Sequence, residues 1–257
     1  VTTSTIAVSP NTLTLSGAFA NTTGNLIKSG SGILVLSGAN AYTGITTISQ
    51  GTLRAGAAVA VSTAGPFGNS AGAIVLGDAA TSNQAVSLET QSAFTIARPV
   101  TVSSNTTTGG YSLSLSDATT AAFSGAITMN QPLTLAAASG GTLQWSGTVT
   151  ANSNKLTVNG AGTAQRTTAG LTLSGDFDVT QGTFSANGQT VSVTGLTTIN
   201  GGTYNPGTGA QTFSNGLTLS SGTYASGAAT ISTTTLTVSG GTFNAPSSTL
   251  TLSGNLS

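Results

Sequence analysis

The dipeptide Gly-Thr returns along the second half of this chain at an almost constant interval. It stands at Gly141, Gly162, Gly182, Gly202, Gly222 and Gly241, in steps of 21, 20, 20, 20 and 19 residues. After the last four copies the next residue is aromatic: Phe184, Tyr204, Tyr224 and Phe243. A fixed period near twenty is the mark of one short unit stacked on itself, each copy touching only its neighbours. Twenty residues are too few for a helical hairpin. The units are rich in Thr, Ser, Val and Gly and alternate with period two, which is the pattern of strands.

One unit shows how the chain turns. From Gly202, a strand begins at Thr203-Tyr204, and Asn205-Pro206-Gly207 bends the chain, because Pro fixes φ and Gly accepts positive φ. A second strand is expected over residues 210–213, a corner at Asn215-Gly216, and a third strand over residues 217–220. The neighbouring units fit the same scheme: Thr190 to Val193 is followed by Gly195 and residues 196–199, and Thr230-Ile231 by Leu236-Thr237-Val238. The expected fold is therefore all-β, a single three-sided parallel β-helix of about 20 residues per turn, right-handed by analogy with most such folds. In Leu171-Thr172-Leu173, Leu236-Thr237-Val238 and Leu250-Thr251-Leu252 the aliphatics face the lumen and the threonines face water. Leu173, Val193, Leu219 and Val238 are expected inside. At about 4.8 Å per turn, roughly 12–13 turns make a rod about 60 Å long. The four aromatics should stack as a structural ladder; the functional option for them is a face for sugar rings.

The first half is less regular, with strand-like runs at Leu13-Thr14-Leu15, Ile33–Leu36, Ile74–Leu76, Leu113-Ser114-Leu115 and Leu133-Thr134-Leu135. Residues 56–70 contain Gly, Pro and a run of small side chains, and read as an excursion from the rod. Nothing resembles a linker, so residues 1–257 read as one solenoid domain, with residues 1–10 as an N-terminal donor strand or cap.

Composition narrows the function. Only 4% of residues are charged, the net charge is zero, and there is neither His nor Cys. A basic stripe for nucleic acid is missing, and no apolar run is long enough to span a membrane as a helix. Few aromatics, most of them at one phase of the repeat, argue against a membrane barrel with its two girdles. An uncharged Thr/Ser/Asn surface gives little repulsion between copies. Val1 in place of Met reads as the start of a processed chain or of a fragment.

Catalytic chemistry finds little to work with. Without His the usual nucleophilic triads are excluded, and without His and Cys most zinc and haem sites are too. Some β-helices cleave polysaccharides with clustered carboxylates; here only Asp176 and Asp178 are close in sequence. They flank Phe177 and read as two solvated carboxylates, with Arg166 one turn away as a surface partner for Asp176. No enzyme, metal or cofactor is expected. The sequons at Asn21, Asn105 and Asn255 are common by chance in so Thr/Ser-rich a chain.

Residues 28–56, KSGSGILVLSGANAYTGITTISQGTLRAG, resemble the passenger-associated transport repeat of autotransporters and other large bacterial surface proteins. The matching positions are Lys28, Gly30, Gly32, Leu34, Leu36, Ser37, Gly38, Asn40, Tyr42, Gly44, Thr46, Ile48, Gly51, Thr52 and Leu53. The resemblance implies an extracellular passenger on the surface of a bacterium with an outer membrane. Read without it, the same residues give two corners, at Ser37 to Asn40 and at Tyr42 to Gly44, with Leu34, Leu36, Ile48 and Leu53 turned inward.

The functional expectation is a structural or adhesive surface rod, with surface glycans as candidate partners and copies of itself as the main one. A monomeric adhesin-like passenger fragment of a larger surface protein, ice binding and polysaccharide cleavage are the alternatives; Thr-x-Thr units occur at Thr12/Thr14, Thr148/Thr150, Thr235/Thr237 and Thr249/Thr251, but not at one phase in every turn. Neither end looks capped, and a solenoid end exposes unpaired backbone groups. Residues 249–254, TLTLSG, repeat residues 12–17, so the two ends read like consecutive turns suited to head-to-tail stacking. The expected contact residues are Val1, Ile6, Val8, Leu13 and Leu15 at one end and Leu250, Leu252 and Leu256 at the other. Residues 1–8, closed by Pro10, are a candidate donated strand.

Overall fold

Strands form wherever aliphatic and hydroxyl residues alternate, and each pairs in parallel with the strand one turn away. The computed structural model describes residues 2–19, 22–105, 109–225 and 227–257; Val1 and Asn21 lie outside them. The chain is an all-β solenoid of about 12 turns with about 21 residues per turn, and the described residues include no helix.

The first side begins at Thr3–Ala7 and Asn25–Ser29 and stacks seven strands up to Val149–Thr150. It continues, through contact between Val149–Thr150 and Leu171–Leu173, into five more that end at Leu250–Leu252. The second side runs from Thr12–Leu15 to Leu236–Val238, and the third from Thr95–Ile96 to Thr242–Phe243; the two are joined in one 15-stranded sheet. Among the described residues the third side has no strand in the first turns. There residues 37–45 and 56–73 connect the second side to the first, with Val59 bridging to Ile96 at the foot of the third ladder.

Three short strands per turn, each set off by a corner, does not describe the second half. The second and third sides are crossed there by single long strands: Leu156–Arg166, Phe177–Ser185, Thr197–Asn205 and Leu217–Tyr224. The corner is a bend inside the strand, marked by register shifts in the ladder. The recurring glycine makes it. Gly182 and Gly222 have φ of 66° and 79°, and a Cβ on them would stand 1.8 and 2.2 Å from the carbonyl oxygens of Gly160 and Gly202 in the turn before. No L side chain fits that approach.

The lumen is filled by aligned aliphatics. On the second side Leu53, Leu88, Leu113, Leu135, Val158 and Val179 stand one above another, all buried. A fully buried aliphatic of this kind contributes about 1.5–3 kcal/mol, which explains why the rod holds without disulfides. Leu173, Val193 and Leu219 are buried as expected. Val238 belongs to the same inward column as Leu219 but is 36% exposed, because near the rod's end only residues 255–257 lie beyond its strand.

Candidate functional site

Residues 26–55 make several side-chain bonds that cross from one turn to the next. Leu34, Leu36, Ile48 and Leu53 are fully buried, as the alternation predicts. Asn40 is also fully buried, on the third side of the second turn. Its side-chain oxygen accepts from the Phe19 amide at 2.8 Å, one turn before, and its Nδ2 donates to the Pro66 carbonyl at 2.7 Å, one turn after. The Tyr42 hydroxyl is 2.9 Å from Thr46 Oγ1, which donates at 3.1 Å to the Phe67 carbonyl. Burial pushes the Tyr42 phenol up to about 12. The Arg98 guanidinium, fully buried, donates to the carbonyls of Phe67 and Gly72. Residues 65–69 are thus held by side chains from three turns.

Lys28 is the unexpected member. It sits at the inward phase of Asn25–Ser29, fully buried, and its ammonium donates to the carbonyls of Ser29, Gly30 and Gln50 at 2.9, 2.6 and 2.9 Å. No carboxylate is within ion-pair reach of it among the described residues. Burial lowers its pKa from 10.5 to about 8. Between these two values the unfolded chain binds a proton that the folded chain releases, so stability should rise with pH from about 8 until the buried tyrosines begin to oppose it near 10. Denaturant midpoints at pH 7.5, 8.5 and 9.5 should climb for the native chain and stay flat for Lys28→Met; equal slopes would remove Lys28 from the account.

The four aromatics stand in register in successive turns. Ring centroids are 4.9 Å apart for Phe184 and Tyr204, 5.1 Å for Tyr204 and Tyr224, and 5.1 Å for Tyr224 and Phe243. Phe184, Tyr204 and Tyr224 are wholly buried and Phe243 is half-buried, so the first three point into the lumen and none of them can stack on a sugar. The Tyr204 hydroxyl donates to Gln211 Oε1. One turn on, Ile231 replaces Gln211, and the Tyr224 hydroxyl has no hydrogen-bond partner among the described residues. Tyr224→Phe should therefore leave stability unchanged or raise it by up to about 1 kcal/mol, whereas Tyr204→Phe should cost about 1–2 kcal/mol. Equal losses in chemical denaturation would contradict this contrast.

The carboxylate pair does not converge on a site. Asp178 is ion-paired with Lys155 at 2.9 Å, and Asp176 Oδ1 accepts from the Leu196 amide at 2.9 Å, with Phe177 buried between them. Arg166 is not their surface partner. It is buried over the Trp145 ring at 4.9 Å and donates to the carbonyls of Ala169 and Gly147 at 2.8 and 2.7 Å. It occupies the inward phase of its strand, directly above Trp145, and carbonyls at the corner satisfy it. Among the described residues no three His, Cys, Asp or Glu side chains gather as a metal set, and no helix is long and apolar enough to cross a membrane. The Asn105 amide is engaged with Ser103 and the Asp78 carbonyl. On the third side one outward column is unbroken: Thr120, Thr142, Thr163, Thr183, Thr203, Thr223 and Thr242.

At the N-terminal end, Thr3–Ala7 pairs with Asn25–Ser29 of its own chain as the first rung of the first side. Val8 is buried, Ile6 and Leu15 are half-buried, and Leu13 is 38% exposed. An open cleft of about 300 Å³ lies beside Ile6, Phe19, Leu26 and Tyr42. At the other end Leu250 and Leu252 are half-buried and Leu256 is 68% exposed. The two TLTLSG segments are not equivalent rungs, since Thr12–Leu15 lies on the second side and Leu250–Leu252 on the first. The similarity reflects the shared strand-and-corner pattern of all sides.

With this geometry in view, residues 26–55 match the family model of the passenger-associated-transport-repeat. No curated protein and no solved structure matches the chain. The repeat and the solenoid together fit a non-enzymatic, autotransporter-passenger-like protein.

Proposed function

We propose that the protein is a structural and adhesive rod displayed on the surface of a bacterium with an outer membrane, and that copies of it stack end to end. The observation that carries display is the transport repeat, folded into the continuous solenoid and bonded to the turns on both sides of it. Stacking is supported by the end faces: Leu13 at one and Leu256 at the other are exposed, and neither face carries a charged side chain to repel a copy. Surface glycans are the proposed adhesive ligands, met by the uncharged Thr, Ser and Asn of the outer faces. Electron microscopy of the native protein at rising concentration tests the assembly. Rods that lengthen along their axis are expected; a natural product that stays a single rod, or whose own chain continues across these faces, overturns stacking.

One observation favours a second reading, ice binding: the unbroken threonine column of the third side. Ice shaping at micromolar protein, lost in Thr183→Val with Thr203→Val, is its test. Unaltered crystal growth dismisses it.

A further inference from the structure

Among the described residues the first turns lack a third-side strand, and in the second and third turns another segment covers the lumen. Residues 65–69, Gly-Pro-Phe-Gly-Asn, reach back from the third turn to the second. Gly65 forms an antiparallel bridge with Asn40 in a molecule otherwise paired in parallel, and the Asn69 amide donates to the Tyr42 carbonyl at 2.7 Å. Pro66, Phe67 and Gly68 are buried, while residues 60–64 beside them are exposed, with Val61 at 42%. A Pro and two Gly in five residues make no ladder of their own. The segment is fixed by bonds from side chains outside it: Asn40 to the Pro66 carbonyl, and Thr46 and Arg98 to the Phe67 carbonyl, Arg98 also reaching Gly72.

We propose that residues 65–69 are a latched side door of the solenoid: a plug, with Phe67 as its apolar tip, that seats after the second, third and fourth turns have stacked and is held by a polar latch of Asn40, Thr46 and Arg98. The order follows from the geometry, because the three latch residues come from three different turns and meet only once those turns are in place. Two of them, Asn40 and Thr46, belong to the transport repeat, and Arg98 lies 43 residues beyond its last matched position, residue 55. The working unit of the repeat therefore extends past its sequence boundary to the plug and to Arg98. Opening the door uncovers the lumen beside Tyr42, whose ring lies against Gly68, while leaving the strand ladders of the first and second sides intact. A segment held by three side-chain bonds, three main-chain bonds to Asn40 and Tyr42, and one buried ring opens as a local unit, well below the free energy of global unfolding.

Limited proteolysis and hydrogen exchange on the full chain test this. In Arg98→Gln, and separately in Asn40→Ala, cleavage within residues 56–73 should rise at least tenfold, and the amides of residues 65–69 should lose protection together. The amides of Val191–Val193 and Gln211–Phe213 should keep theirs. Thr46→Val, which removes one latch bond and keeps the shape, should give a smaller rise in the same segment. Unchanged cleavage in Arg98→Gln would show that the latch does not hold the plug. Loss of protection throughout the rod in the mild Thr46→Val variant would show that the segment is a wall of the core and no door at all.

Discussion

Val193→Asp is expected to unfold the turns on both sides of it, lowering stability by roughly 4–5 kcal/mol or more. Val193 is fully buried on the first side, with Leu173 beneath it and Phe213 above. No cation lies in that column to pair with a new carboxylate, and the ladder on either side leaves no path for the side chain to reach water. The group must be protonated or the turn must open. Because each turn touches only its neighbours, the damage should stay local: protease sites near residues 171–213 should appear while the first turns remain protected. Unfolding of the whole rod in one step would show that the solenoid is more cooperative than nearest-neighbour stacking allows.

Gly182→Val should cost a comparable amount, roughly 3–5 kcal/mol, by a different route. A Cβ at this position stands 1.8 Å from the Gly160 carbonyl oxygen, and φ is 66°, a region that β-branched residues avoid. The bend of Phe177–Ser185 must then straighten or the turns must part, and either displaces Phe184 from Tyr204. A thermal melt with near-ultraviolet dichroism reads both effects; an unaltered aromatic signal with a full melting temperature would refute the corner argument.

The period in the sequence carried the architecture because it records a direct physical constraint: a glycine is needed where one turn's backbone crosses close over the last. Aliphatic phase carried the lumen equally well in Leu34, Leu36, Ile48 and Leu53. The strand expected over residues 196–199 begins one residue later, at Thr197. Residues 196–199 look like a strand led by Leu196, yet Leu196 is 36% exposed and Thr197 is buried between Phe177 and Leu217 in the ladder. Thr197 lies opposite Phe177, so Leu196 takes the outward phase that Asp176 takes one turn earlier, and a single residue separates inside from outside. The buried cations were missed for another reason. Lys28, Arg98 and Arg166 each sit two residues after an inward Leu26, Ile96 or Ala164, so the phase marked them as inward; charge alone suggested surface. Part of each acceptor set is not local in the sequence. Gln50 for Lys28, Phe67 and Gly72 for Arg98, and Gly147 for Arg166 come from neighbouring turns, and only stacking brings them within reach. The same holds for Asn40, whose partners Phe19 and Pro66 lie 21 and 26 residues away.

The bonds that join one turn to the next lie along the axis of the rod. A pull between its two ends therefore loads them in tension, a few at a time, in the order in which the turns meet the force. Each turn of about 21 residues that comes away sheds one layer about 4.8 Å high and pays out about 70 Å of extended chain. A rod built this way yields in steps, lengthening greatly before it breaks, and the steps begin at the outermost turns.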